Sequence, residues 1–338
     1  MTSPKITRRQ SMALMAALSG AAAVGGAAPA RAAGSGFLYV SHERSHNVLV
    51  LDPASDFRVV ADITTSRRPR DMHFNNARTL LYVACGDDDV IDVIDVASGS
   101  VVDQIPTGRS PEAFVLSHDE STIYVSNEEN STCQVIDLAS KLIIHEVPVG
   151  AEPEGVLLSP DGRTLYVTSE VADMVHVIDA ELGVVTQNII VGTRPRRLAL
   201  TPDQRELWVS DELSGQISII DVATNQVLTD LTFLPPGFRP VDVTPVGLTL
   251  APDNQTMVIT LGRANHIAYV NTATREIEGY TLVGNRAWNV CNSADGQYFY
   301  VTNGLSDDIS IIEVSSRRNI LSIPVGRVPY AVLVDAPV

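Results

Sequence analysis

Residues 165–200 read LYVTSEVADMVHVIDAELGVVTQNIIVGTRPRRLAL. An apolar run ends in an acidic loop, a second run closes on Asp179, a turn and a third run follow, and a Gly192-x-x-Pro195 corner opens a fourth. Short apolar runs punctuated by Gly, Pro and Asp read as strands joined by tight turns. The pattern occurs seven times. Aligned on the residue before a valine or isoleucine, the copies fall at Tyr39, Tyr82, Tyr124, Tyr166, Trp208, Val258 and Tyr300, at intervals of 43, 42, 42, 42, 50 and 42 residues. A repeat of this length holding four short strands is a β-propeller blade. One blade cannot bury both its faces, so the seven must stack into a ring.

The two ends of the repeat array are complementary. The first copy begins at its second strand, 37–41, and the last is followed by a lone first strand, 330–334. Pairing these two strands would close the ring and remove both open edges. The expected fold is therefore all-β, a seven-bladed β-propeller of four-stranded blades closed by the C-terminal strand on the N-terminal one.

Residues 1–32 stand apart. Lys5, Arg8 and Arg9 precede an Ala- and Gly-rich stretch that ends in Ala30-Arg31-Ala32, the form of an export signal with its cleavage site. The Arg8-Arg9 pair resembles a twin-arginine signal, although Ser11 departs from it, and both the twin-arginine and the general secretory route stay open. Cleavage would leave 33–338 as a single domain of 306 residues, periplasmic or secreted, with no membrane span. Its 20 basic and 40 acidic residues give a net charge of −20. Such a surface repels nucleic acid and favours a soluble monomer or a basic partner.

Cys85, Cys133 and Cys291 form no C-x-x-C or haem-attachment motif, and are expected as free, mostly buried thiols. The acidic column Asp52, Asp95, Asp137, Asp179, Asp221, Asn271 and Glu313 ends each third strand before a turn, where bonding to the backbone accounts for it. The seven histidines form no H-x-H or H-E-x-x-H, and there is no G-x-S-x-G and no phosphate loop. No catalytic residue and no metal site is assigned. His73 is expected as a packed core residue, and His42-Glu43 as a His–acid pair on the rim.

The loops between second and third strands and the corners between blades share one rim. After each corner comes Arg70, Glu112, Glu154, Arg196, Val246, Trp288 or Tyr330, ringing the mouth of the central channel. Two readings stay open. Arg70 and Arg196 with Trp288 and Tyr330 could hold a planar anion, or the arginines could pair with Glu112 and Glu154 and cap the channel. Glu43, Glu128, Glu170 and Glu212 occupy one aligned loop position and are expected as solvated carboxylates. The long fifth interval comes from an insert holding Phe233 and Phe238, expected either as exposed partner-binding residues on the rim or as a loop packing its own aromatics.

Leu165-Tyr166-Val167-Thr168-Ser169 and Phe299-Tyr300-Val301-Thr302-Asn303 resemble the YVTN β-propeller repeat, and the resemblance spans 37–338. With seven repeats and an export signal, the chain resembles the β-propeller proteins associated with pyrroloquinoline quinone (PQQ)-dependent catabolism. That resemblance implies a non-catalytic periplasmic accessory role beside a quinoprotein dehydrogenase or c-type cytochrome. No bound cofactor is implied. A direct PQQ contact would use Arg70, Arg196 and Arg286 beside Trp288, because PQQ carries three carboxylates. The rival expectation is a lactonase-type propeller hydrolase, which would need His42, Glu43, Arg70, Glu112 and Arg196 to converge.

Overall fold

The computed structural model describes residues 34–336, so the expected export signal lies outside the described residues. Seven four-stranded antiparallel sheets form the ring. Blades 2 to 7 each contribute four consecutive strands. Blade 1 takes its inner strand, Pro329–Val334, from the C-terminus. That strand pairs with Leu38–His42 through Leu38↔Val334, Tyr39↔Leu333 and Val40↔Val332, which closes the ring as the sequence predicts. Asp335 fastens the closure by accepting the Gly34 and Ser35 amide N–H groups at 3.0 and 2.9 Å.

Each face of a blade packs on its neighbour, so the core is divided into interblade clusters. Tyr39, Met72, Leu81, Val83 and Tyr330 lie together between blades 1 and 2. The third-strand acids do as expected: Asp95, Asp137, Asp179 and Asp221 each accept a turn N–H two or three residues on. Cys85, Cys133 and Cys291 are free thiols, the first two buried.

The insert corrects one expectation. Phe233 is 3% exposed, and Phe238 packs on the same cluster, its ring 5.3 Å from that of His266. Of the two readings, Phe233 packs into the core, while Phe238 packs on it and stays partly exposed. Substituting them would disturb the core between blades 5 and 6.

One feature of the repeat positions the channel residues. In blades 1, 2, 3, 4, 5 and 7 the inner strand carries a bulge just after its first residue; in blade 2, Pro69 pairs with Cys85 but Met72 with Val83. Two residues then oppose one, and the bulged pair is turned out of the regular ladder. Arg70-Asp71 and Arg196-Arg197 are such pairs, so both members come to border the channel.

The last residue of each second strand is a buried polar group in most blades: His42, Asn127, Ser169, Asp211 and Asn303 are each 0% exposed. Asp211 accepts the Ser218 hydroxyl at 2.6 Å, and burial pushes its carboxyl up to about 7. Unfolded, it would titrate at about 3.9. Between these values the folded chain keeps a proton that the unfolded chain has lost. Stability therefore falls as pH rises through that window, and the full penalty stands above pH 7. Asp211→Asn, which places there the residue found at 127 and 303, is expected to stabilise the protein at pH 8 by on the order of 2 kcal/mol. The two proteins should match near pH 4. Thermal melts across pH 4–8 check this, and a variant less stable than wild type at pH 8 would refute it.

Candidate functional site

The ring brings every predicted mouth residue to the channel. Arg70 pairs with Glu43 and Glu112 and lies 3.2 Å from Glu154, while its guanidinium sits 4.0 Å from the Tyr330 ring centre. Arg196 pairs with Glu170 and approaches Glu154 at 3.1 Å. The Tyr330 hydroxyl donates to Glu154 at 3.0 Å. Arg286 reaches Glu212 at 2.5 Å and covers the Trp288 ring at 4.3 Å. Val246 is fully buried beside them.

Residues one step outside the predicted ring complete the network. Arg68 holds Glu112 at 2.5 Å and Glu128 at 3.6 Å, and Arg194 holds Glu170 at 2.6 Å. Arg68, Arg194 and Arg286 occupy corner positions with φ of 58°, 62° and 63°. That left-handed backbone is costly for residues with a side chain and is held in place by acceptors. Asp173 takes the Arg194 amide N–H and Asn265 that of Arg286, each at 2.9 Å.

Six arginines (68, 70, 194, 196, 197, 286) thus meet six glutamates (43, 112, 128, 154, 170, 212) in one balanced plug across the upper mouth. This corrects the reading of the loop glutamates as solvated, since Glu170 and Glu212 are buried against arginines. In blade 7 the aligned loop residue is Gly304, where a Cβ would lie 2.3 Å from the Trp288 indole nitrogen. The blade therefore exchanges its rim carboxylate for a ring.

Electrostatics follows packing. Burial works against the Glu154 carboxylate, yet Arg196, Arg70, Arg197 and Tyr330 together hold it below the usual range. Burial, with Glu154 and Glu212 nearby, pushes Glu170 up to about 7 despite its arginines. Arg70 and Arg196 stay charged, because their carboxylate partners outweigh the cost of burial.

His42 does not join Glu43 on the rim. It is fully buried, and burial lowers its pKa to about 4, so it stays neutral. His73 departs from expectation in the opposite direction, for it is no packed core residue. Its side chain is 39% exposed on the blade 2 inner strand, with Nε2 3.3 Å from Asp71 Oδ2 and the ring 4.8 Å from that of Phe114. Burial opposes the charge on Asp71, but His73, Arg197 and the Phe114 amide hold the carboxyl low. Arg197, from blade 5, donates across the channel to the Tyr330 hydroxyl at 2.6 Å. Asn289, from blade 7, donates to the Tyr330 carbonyl at 3.0 Å.

Arg197 thus links the plug to a partly exposed polar pair, Asp71 and His73, with Asn289 bonded to the same Tyr330. The pair borders a cavity of about 370 Å³ lined by His73, Asn75, Asn76, Arg78 and Leu333 at the lower mouth. Sequence reasoning missed Asp71, Arg197 and Asn289. The available signal was the residue after each mouth position, where most blades carry Ala or Gly and these three carry polar groups. Among the described residues, no group of three or more His, Cys, Asp or Glu is arranged to hold a metal ion. No helix among them is long and apolar enough to cross a membrane.

The comparisons agree with this architecture. Residues 104–244 match the family model described as lactonase, 7-bladed beta-propeller. No curated protein matches the chain. Among solved structures, the periplasmic gluconolactonase of Pseudomonas aeruginosa is similar at 21% identity and a TM-score of 0.74, over 89% of this chain and 99% of that one. A putative 6-phosphogluconolactonase from Bacteroides uniformis is similar at 14% identity and a TM-score of 0.71, over 88% and 99%. Kuenenia stuttgartiensis hydrazine synthase is similar at 19% identity and a TM-score of 0.73, over 87% and 99%. At such identities the likeness is one of fold. The class is the seven-bladed β-propeller, with a match to lactonase-type propellers over 104–244.

Proposed function

We propose that this chain is an exported, periplasmic propeller that opens a small lactone in the lower part of its channel. The observation that carries the reading is the partly exposed His73 held against Asp71, a carboxylate that also feels Arg197, with Arg197 and Asn289 both bonded to Tyr330. A histidine whose one nitrogen is engaged by a carboxylate offers the other to a water proton. The water oxygen would attack the lactone carbonyl as His73 takes its proton. The ring C–O bond then breaks, and the imidazolium returns the proton to the departing alkoxide. Arg197 has five N–H donors, one of them on Tyr330, and the others can stabilise the oxyanion together with the Asn289 amide. The lactonase-type family match and the fold shared with a gluconolactonase support this choice of substrate class.

The test is a pH-stat assay of the mature protein on a panel of sugar-acid lactones. Turnover above the spontaneous rate is expected, with His73→Ala lowering kcat by roughly 10²–10⁴-fold at an unchanged melting temperature. If no lactone is opened faster than in buffer, or if the His73 variant keeps full activity, the reading fails.

A second reading is the accessory role beside a quinoprotein dehydrogenase or c-type cytochrome. What favours it is the set of exposed apolar side chains in the rim loops of blades 4 to 7, Val171, Leu213, Val241 and Leu305. Direct PQQ contact on this reading would use Arg286 beside Trp288 and would have to displace Glu212. Capture of such a dehydrogenase or cytochrome from periplasm by immobilised protein, abolished by Leu213→Asp, tests it.

A further inference from the structure

Three of the molecule's cavities repeat one geometry, a groove between neighbouring blades beside a Pro-Asp or Ala-Asp turn, and follow from the repeat itself. A fourth does not. It is a polar cleft of about 530 Å³ on the plug face, at the ring closure, lined by Glu43, Arg44, His46, Arg68, Asp87 and Arg327.

Arg44 and Arg327 lie side by side there, the backbone N–H of Arg44 donating to the Arg327 carbonyl at 3.3 Å. Neither guanidinium takes part in an ion pair among the described residues, whereas the plug arginines beside them are all paired. The cleft's own carboxylates do not answer them: Glu43 is engaged by Arg70, and Asp87 lies 3.8 Å from Arg68. His46 Nδ1 accepts the Arg68 amide N–H at 3.1 Å, which leaves Nε2 as a donor. On a chain with 40 acidic and 24 basic residues, these two exposed arginines share the cleft without an ion-pair partner among the described residues. Forked guanidinium donors lining one cleft match a tetrahedral oxyanion.

We propose that this cleft is a binding site for a doubly charged, phosphate-type oxyanion, held by Arg44, Arg327 and Arg68 with His46 Nε2 as a further donor. It is separate from the channel cluster around His73 and opens on the opposite face. Titration calorimetry of the mature protein with inorganic phosphate at about 0.1 M salt tests it, where screening leaves only near contacts effective. Saturable one-to-one binding is expected. Arg44→Ala and Arg327→Ala should each weaken it roughly 10-fold, the loss of one charge-assisted hydrogen bond. Arg163→Ala, at a turn on the other face, should leave it unchanged. Absence of saturation, wild-type affinity in either cleft variant, or tighter binding of succinate than of phosphate would each overturn the assignment.

Discussion

A chain ending at Pro329 is expected not to populate the closed propeller. The truncation removes the inner strand of blade 1, whose partner strand Leu38–His42 would become an unpaired edge facing the channel. It also strips Tyr330, Ala331 and Val332 from the two interblade clusters that flank blade 1. Burying a large apolar side chain is worth about 1.5–3 kcal/mol, and Tyr330, Val332, Leu333 and Val334 are lost together with their ladder hydrogen bonds. That sum is comparable with the whole stability of a typical domain, about 5–15 kcal/mol. The open edge adds a route to aggregation. Loss of the near-ultraviolet circular dichroism signal and of a cooperative melt is the expected result. A truncated protein that melts like the mature chain would show that the closure contributes nothing.

Glu154→Ala should be the most costly single substitution in the plug. Glu154 is 2% exposed and serves Arg70, Arg196, Arg197 and the Tyr330 hydroxyl at once. Removing one partner of a buried charged group strands the rest, at a cost of about 3–5 kcal/mol. With an unfolding entropy of about 2.1 cal/mol/K per residue, that corresponds to a fall in Tm of roughly 5–8 °C. Glu154→Gln keeps an acceptor for Tyr330 but loses the charge, so it should fall between the variant and wild type. Differential scanning calorimetry of the three proteins decides the matter. Because the carboxyl is held below its ordinary range, the stabilisation from Glu154 should be present above about pH 4.5 and be lost as pH drops further. An alanine variant within 1 °C of wild type would mean that the ionic plug is stability-neutral.

The channel shows where reading the chain succeeded and where it stopped. Arg70, Glu112, Glu154, Arg196, Trp288 and Tyr330 do converge, because their alignment one residue past each corner carries a direction once the ring closes, and Arg286, at the corner itself, joins them. Their pairing was open from the sequence. An arginine and a glutamate 84 residues apart meet only if blades 2 and 4 face each other across the channel, as Arg70 and Glu154 do. His73 was misplaced because its column is apolar in most other blades, and alignment cannot tell a packed position from a partly exposed one. Phe233 and Phe238 lie in an insert with no counterpart in the other copies, so periodicity offered nothing about which way they turn.

A near-constant 42-residue spacing, with the unpaired strands at its two ends, was enough to specify seven blades and their closure. Strand alternation and turn chemistry are local, and a repeated unit that cannot bury its own faces has few ways to assemble. The bulge after most of the corners needed the three-dimensional fold to be seen. It turns Asp71 and Arg197 toward the channel beside Arg70 and Arg196, and it arises from the register between paired strands rather than from any residue's own preference. The burial of Glu170 and Glu212, the turning of His42 away from the rim and the exposure of His73 were likewise settled by neighbours from other blades. Desolvation and charge pairing depend on what surrounds a group in space, and the linear order of the chain does not state that.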